Sequence, residues 1–178
     1  MAESLDGSIA YDSNHAANWT SKEDKKFFVE ETKKGGAIVF GQNTFKTLGD
    51  KPLPGRLNVV MTINEEDKKK EKPGSLEFFV SEKPQTVLSV LKKKGLKKIF
   101  IGGGSIINGL FFDAGLVDEL WITVEPKIFG TGMRILSDKK RDINLTLKSV
   151  KKDNQTVLLK YGVNYVGSDK KRNYRCDR

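Results

Sequence analysis

Three short stretches carry residue types that could do chemistry. The first is NWTSKEDKKFF, residues 18–28. Phe27 and Phe28 follow Asp24 by three and four positions, so on a helix the acid and at least one ring share a face. A carboxylate on an apolar face loses hydration and needs a partner, and a heterocycle presenting an N–H and an amino group would be one. The competing reading is a first-turn acid facing water, favoured by the helix dipole; taken alone, the stretch favours it. The second is KKIFIGGGSII, residues 97–107: a strand, three glycines, then a helix. Such a turn lets a phosphate-bearing ligand approach the backbone, and the helix start offers free N–H groups. It is neither a GxGxxG after a first strand nor a P-loop, and taken alone a tight turn with close helix packing is the plainer reading. The third is LPGRLN, residues 53–58, where Arg56 opens an apolar strand. A guanidinium at a strand mouth can grip a carboxylate with two hydrogen bonds, although an arginine at a surface edge is the plainer reading.

The flanking sequence says which elements hold these groups. Ser21 has the chemistry of an N-cap, with Asp24 at the third helical position, and the helix should end at Gly35-Gly36. AIVF (37–40) is a continuous apolar run suited to a strand buried on both faces. A short helix through NTFKTLG, then strands at RLNVVMT and LEFFV, follow. Between the two strands, NEEDKKKEKPGS (64–75) reads as a charged surface loop. Pro84 suits a first helical turn, and Val87, Leu88 and Leu91 recur at helical spacing after it. SIAYD is a short strand candidate, and VDELWITVEPKIF reads as one long strand. INLTLKSVKKDNQTVLLKYGV reads as two strands around a turn, a terminal hairpin. Alternation of strand and helix followed by a hairpin implies an α/β three-layer sandwich with a mostly parallel mixed sheet and an antiparallel edge. The expected domain is residues 1–166; residues 167–178 form a polar, basic tail set apart from the fold.

Composition narrows the function. The 178 residues fit one domain with a real core. The net charge of +9 comes from lysines interleaved with acids, which reads first as a solvated surface. The single cysteine, Cys176, excludes a disulfide within the chain and points to a reducing compartment, with cytoplasmic location expected. His15 is the only histidine, so a Cys/His metal site and a Ser-His-Asp triad are not expected. The start MAESLDGSIA lacks the pattern of a signal peptide, and no apolar run approaches membrane-spanning length. A nucleic-acid reader would need basic and aromatic residues interleaved on a strand face, and none is evident.

In order and spacing these pieces resemble dihydrofolate reductase and its superfamily over about residues 2–165. Trp19, Asp24 and Phe28 keep the family's spacings of five and four. GQNTF (41–45) is similar to its G-R-x-T segment, Leu53 to Arg56 match its LPGR, Ile101 to Gly103 its IGG turn, and LWIT (120–123) its LYLT strand. The resemblance implies a dihydrofolate reductase-like sandwich and NADPH-dependent reduction of dihydrofolate, in a monomer or homodimer. It assigns Asp24 to the pterin's amino-pyrimidine edge and ring-nitrogen protonation, with Thr123 supporting the carboxylate. Phe28, Leu48, Ala2 and Ile101 would line the substrate site, and Arg56 would pair with the folate tail's carboxylate. Trp19 and its loop would close over the nicotinamide. Ala10, Gly41, Gln42, Asn43, Thr44, Met61, Thr62, Gly102, Gly103, Gly104, Ser105 and Ile106 would contact NADPH, with a cis peptide at Gly102-Gly103.

The pattern departs at Gln42, usually arginine, and at Ser105, often basic, so the grip on the 2′-phosphate of NADPH is thin. Lys46 or the lysines within 67–72 would compensate, or the preference is relaxed. AESLDGSIA and GLVDELWITVEPKIFGTG are also similar to the riboflavin-pathway reductase of a ribosylamino-pyrimidine phosphate. There Asp6 would contact substrate and the positive charge would serve its phosphate. The Trp19–Asp24–Phe28 spacing and Thr123 favour the folate enzyme.

Overall fold

A computed structural model describes residues 1–137 and 141–165. The elements in chain order are β1 (Ala2–Ser4), β2 (Ser8–Ala10), α1 (Lys22–Gly35), β3 (Gly36–Gly41), α2 (Gln42–Thr47), β4 (Leu57–Thr62), β5 (Leu76–Val80), α3 (Pro84–Lys93), β6 (Lys98–Gly103), α4 (Ser105–Asp113), β7 (Glu119–Glu125), β8 (Met133–Arg134), β9 (Asn144–Asp153) and β10 (Thr156–Asn164). Short 3₁₀ turns cover Ala17–Trp19 and Glu65–Lys70.

The strongest sequence signals become the centre of the fold. β3 lies between β4 and β6 in an all-parallel group ordered β5-β4-β3-β6. Its residues Ala37 to Phe40 are at most 1% exposed, as a strand covered on both faces requires. Alternation divides the strand between two cores. Ala37 and Val39 pack with Val87 and Leu91 of α3 and Ile107 and Phe111 of α4. Ile38 and Phe40 pack on the opposite face with Phe45 of α2, and Phe28 of α1 leans on that cluster. Helices on both faces of the sheet make the three layers.

The second group runs β1-β7-β10-β9, with β1 parallel to β7 and the remaining pairs antiparallel. A two-stranded pair, β2 with β8, lies outside both. α1 begins and ends where its caps dictate. The Ser21 hydroxyl accepts from the Asp24 N–H at 3.1 Å, and Gly36, at φ 84°, takes the left-handed cap conformation that a side chain would resist.

Several expectations need correction. The segment 64–75 is not merely an exposed loop: its 3₁₀ turn buries Asp67 to 1% exposure. The strand expected over 117–129 is only β7, because Pro126 offers no N–H to continue a ladder. The expected strand at SIAYD is shortened to β2, and β1 precedes it. β1 and β8 are too short to show any periodicity, and their partners in the sheet define them. Cys176 and the tail at 167–178 lie outside the described residues.

Candidate active site

A cavity of about 1290 Å³ opens along the carboxyl ends of β3, β4 and β6, between α1, α2 and α4. Small-molecule pockets typically span ~300–1,000 Å³, so this one lies above the usual range for a single ligand. Every expected site residue except Gly103 lines it, and Gly103 is joined to a lining residue, Gly104, by a cis peptide bond. The cis bond is therefore Gly103-Gly104, one position later than expected. In the β3–β6 ladder Phe40 opposes Gly103 directly after Val39 opposes Ile101, so Gly102 forms a bulge just before that turn.

At one end of the cavity stand Asp24 and Arg56. Asp24 is half-buried rather than fully buried, because the cavity opens beside it. Its place is fixed through Ser21, whose hydroxyl and N–H both donate to Glu125 Oε1, at 2.7 and 2.9 Å. Glu125 ends β7 and is 2% exposed. The carboxylate of one element thus holds the cap of another, and the cap holds the backbone of Asp24. Thr123, two residues earlier in β7, is buried and lines the same cavity. Among the described residues no direct hydrogen bond joins the Thr123 side chain to Asp24, although both line the cavity.

Arg56 is not the edge arginine of the plainer reading: it is 6% exposed. Its guanidinium lies 5.7 Å from the Phe28 ring centre, and Nη1 reaches the Val29 carbonyl at 3.4 Å. Nε has no hydrogen-bond partner. Burial pushes the guanidinium below its usual range. A buried cation without a carboxylate partner, facing a cavity, is what an anionic ligand group would complete.

At the other end, Gly104 caps α4 without a side chain, so the first N–H groups of that helix stay free. A Cβ on Gly104 would come within 3.2 Å of Thr44 Oγ1, so the glycine keeps open the gap between the starts of α2 and α4. The Ser105 hydroxyl does not face the cavity; it donates to the Arg134 carbonyl at 2.6 Å and anchors β8. Gln42 Nε2 donates to Asp67 Oδ2 at 2.5 Å, the Thr62 hydroxyl to the same oxygen at 2.8 Å, and Lys70 Nζ to Oδ1 at 2.7 Å. Burial alone would raise the Asp67 carboxyl. The hydrogen bonds from Lys70 and Thr62, with the charges of Lys70 and Lys46, outweigh it and hold the group below its usual range.

Over the mouth, Trp19 packs edge-on against Phe129 at 4.8 Å, and Tyr11 stacks on both Phe129 and His15. Asp6 is not a cavity residue. It accepts from the Ser4 hydroxyl at 2.6 Å and from the N–H groups of Phe129 and Gly130, and so pins the loop that carries Phe129. The hydrogen bonds from Ser4 and from those two backbone groups pull its carboxyl down to about 2.

Sequence reading overlooked Glu125 and Asp67. Glu125 had a signal, a lone charge ending the apolar run LWITV; Asp67, inside a charge run, had none.

An open α/β sheet with a cleft at its strand ends and a glycine-capped helix start with free N–H groups can receive a phosphate-bearing ligand. The dihydrofolate reductase family model matches residues 1–135. The chain belongs to that family and is an NADPH-dependent oxidoreductase. It is 28% identical over 170 residues to a dihydrofolate reductase of Ureaplasma parvum, covering 96% of each. A shorter match to the bifunctional dihydrofolate reductase-thymidylate synthase of Paramecium tetraurelia is 39% identical over 64 residues, 36% of this chain and 13% of that protein. Among solved structures, a putative riboflavin biosynthesis protein of Shewanella superposes with a TM-score of 0.73 at 19% identity, over 93% of this chain and 97% of that one. A dihydrofolate reductase of Enterococcus faecalis complexed with NADP(H) gives 0.63 at 22% identity, over 92% and 94%. At these identities the two structures speak for the fold alone.

Among the described residues no helix is long and apolar enough to cross a membrane, and no group of His, Cys, Asp and Glu could hold a metal ion.

Proposed function

We propose that this chain reduces 7,8-dihydrofolate to tetrahydrofolate. The observation that carries the reading is Arg56, a cation only 6% exposed and lining the same cavity as Asp24. A cation and an anion at separate points of one apolar-walled cleft fit a ligand with an amino-heterocycle at one end and a carboxylate at the other. The residues at the opposite end fit NADPH: Gly104 leaves the space, and the start of α4 offers free N–H groups to the phosphates. When bound, NADPH supplies the hydride that adds to the substrate's C=N carbon.

The chain's own residues do the rest. Asp24 accepts hydrogen bonds from the pyrimidine N–H and amino group and helps deliver the proton that the ring nitrogen takes up. Thr123 supports that carboxylate through water. Phe28 and Leu48 pack on the ring faces, Ala2 and Ile101 shape the floor, and Arg56 grips the tail carboxylate. Trp19 shields the reacting centre from water, so charge developed there is less screened. The whole is expected to act in the cytoplasm.

A second reading, reduction of a ribosylamino-pyrimidine phosphate, draws support from the similarity of AESLDGSIA and GLVDELWITVEPKIFGTG to that reductase. Its expected substrate contact, Asp6, is occupied with three hydrogen bonds away from the cavity.

The test is NADPH oxidation followed by absorbance with each substrate. Dihydrofolate should drive turnover, and Asp24→Asn should lower it by roughly 10²–10⁴-fold, the usual worth of a positioned acid or base, while NADPH binding persists. Turnover only with the ribosylamino-pyrimidine phosphate would replace the first reading with the second.

A further inference from the structure

The hairpin of β9 and β10 carries an apolar face whose outer half lies open. Every residue of β9 is exposed. Its ladder partners show which side chains share a face: Leu145 lies opposite Val163, Leu147 opposite Tyr161 and Val150 opposite Leu159. In a regular strand the spacing of two and then three would send Val150 to the other side. A bulge prevents this, because the register shifts between Lys160 and Tyr161 and leaves Lys148 with no residue opposite. The same face continues into β7, where Leu120 and Ile122 oppose Tyr161 and Leu159. Cover falls away across it. Ile122 is 8% exposed and the three β10 residues are half-buried, but Leu145, Leu147 and Val150 are 41%, 53% and 58% exposed. Among the described residues, neither apolar core contains a side chain of β9 or β10.

Charge is kept to the opposite face. That side meets α1, with Trp121 against Phe27 at 5.7 Å. It also holds two ion pairs of the hairpin, Lys148 to Glu119 at 2.6 Å and Lys151 to Asp153 at 3.2 Å. The outer edge of β9 is a poor template for a further strand, since its bulge and its lysines are the usual guards of an edge. What remains to be covered is the flat of the sheet. A twisted sheet is matched by another of the same twist stacked about 10 Å away. A second copy of this chain supplies one, and a two-fold axis lets the same patch serve on both sides. Residues 166–178, VGSDKKRNYRCDR, are mostly charged or polar and offer little to an apolar face. Three strands with β9 as the longest cover roughly 33 Å by 14 Å, or about 900 Å² for two copies together, the lower end of specific interfaces. An interface of that size suits association that is reversible.

We propose that this chain forms a reversible homodimer in which the face of β7, β10 and β9 that carries Leu147 and Val150 stacks on its copy. The contact backs β7 from behind, while the other side of that strand presents Thr123 to the cavity.

The experiment is sedimentation equilibrium of the full chain across the micromolar range, where the mean mass should rise from one chain to two. Added salt should strengthen association, because two copies of net charge +9 repel each other while the contact itself is apolar. Leu147→Lys should weaken the dimer by about a hundredfold, since each change occurs twice across the two-fold. Val150→Thr, which keeps the shape and strand preference of the side chain, should weaken it by about tenfold. Thr146→Lys adds the same charge on the opposite face, beside Gly162, and should leave association unchanged. The proposal is overturned if the mass stays at one chain at every concentration, as cover by a different protein or by the chain's own residues would leave it. It is equally overturned if Leu147→Lys and Val150→Thr associate like the unaltered chain, or if Thr146→Lys dissociates the dimer as strongly as Leu147→Lys.

Discussion

Replacing Ser21 with alanine tests the link between β7 and the catalytic helix. The Ser21 hydroxyl accepts from the Asp24 N–H and donates to Glu125 Oε1. Losing an N-cap costs about 0.5–2 kcal/mol. Losing a hydrogen bond to a buried charge costs about 1.5–3 kcal/mol more. Glu125 keeps the Ser21 N–H as a donor, so the carboxylate is weakened rather than stranded. The two effects share one hydroxyl, so a combined loss of roughly 2–4 kcal/mol is expected. For a domain of this size each kcal/mol moves Tm by about 2–4 °C. Thermal unfolding followed by circular dichroism should therefore show a drop of roughly 5–15 °C. Ser21→Asp sharpens the test. Aspartate is as good an N-cap as serine, yet here it would face the Glu125 carboxylate. It should be at least as destabilising as alanine. Were Ser21→Asp to melt with the unaltered protein, the Glu125 link would carry no energy and the reasoning would be wrong.

Two further predictions follow from side groups that brace the site. Asp6 has its carboxyl lowered from 3.8 to about 2 in the folded chain, so its contribution is complete above pH 4 and is lost as the pH falls towards 2. Asp6→Asn should flatten the fall of Tm across that interval, and parallel slopes in the two proteins would refute the assignment. Gly102→Ala would place a Cβ 2.8 Å from Phe40 Cδ1 and 2.9 Å from Ile38 Cδ1, both in fully buried rings or branches. Overpacking of that kind costs about 1–3 kcal/mol. It should also displace the adjoining glycine turn, so urea unfolding and NADPH titration should both worsen.

What could be read in advance was what local chemistry encodes. Ser21, Gly36 and Pro84 each fix a helix end by their own conformational needs, and AIVF, four apolar residues between glycines, suits a strand with both faces covered. The spacing of Trp19, Asp24 and Phe28 brought the acid to the cavity. What could not be read depends on partners far along the chain. Arg56 is buried because Phe28 and Val29 of α1 cover it, which nothing in LPGRLN encodes. Asp67 lies in a run of charges without apolar period, and only the donors of Gln42 and Thr62 draw it inward. The hydroxyl of Ser105 looked available for a ligand until β8, a two-residue strand, claimed it.

β1 pairs with β7 across most of the chain, Ala2 opposite Thr123. The parallel group β3 to β6 comes instead from one continuous stretch, residues 36–103. During synthesis the two halves of the cleft therefore mature at different times. The parallel group can pair as soon as β6 is made, while β1 must wait for β7 to arrive and close a long loop. A chain paused in between has its parallel group paired while β1 still lacks its neighbour.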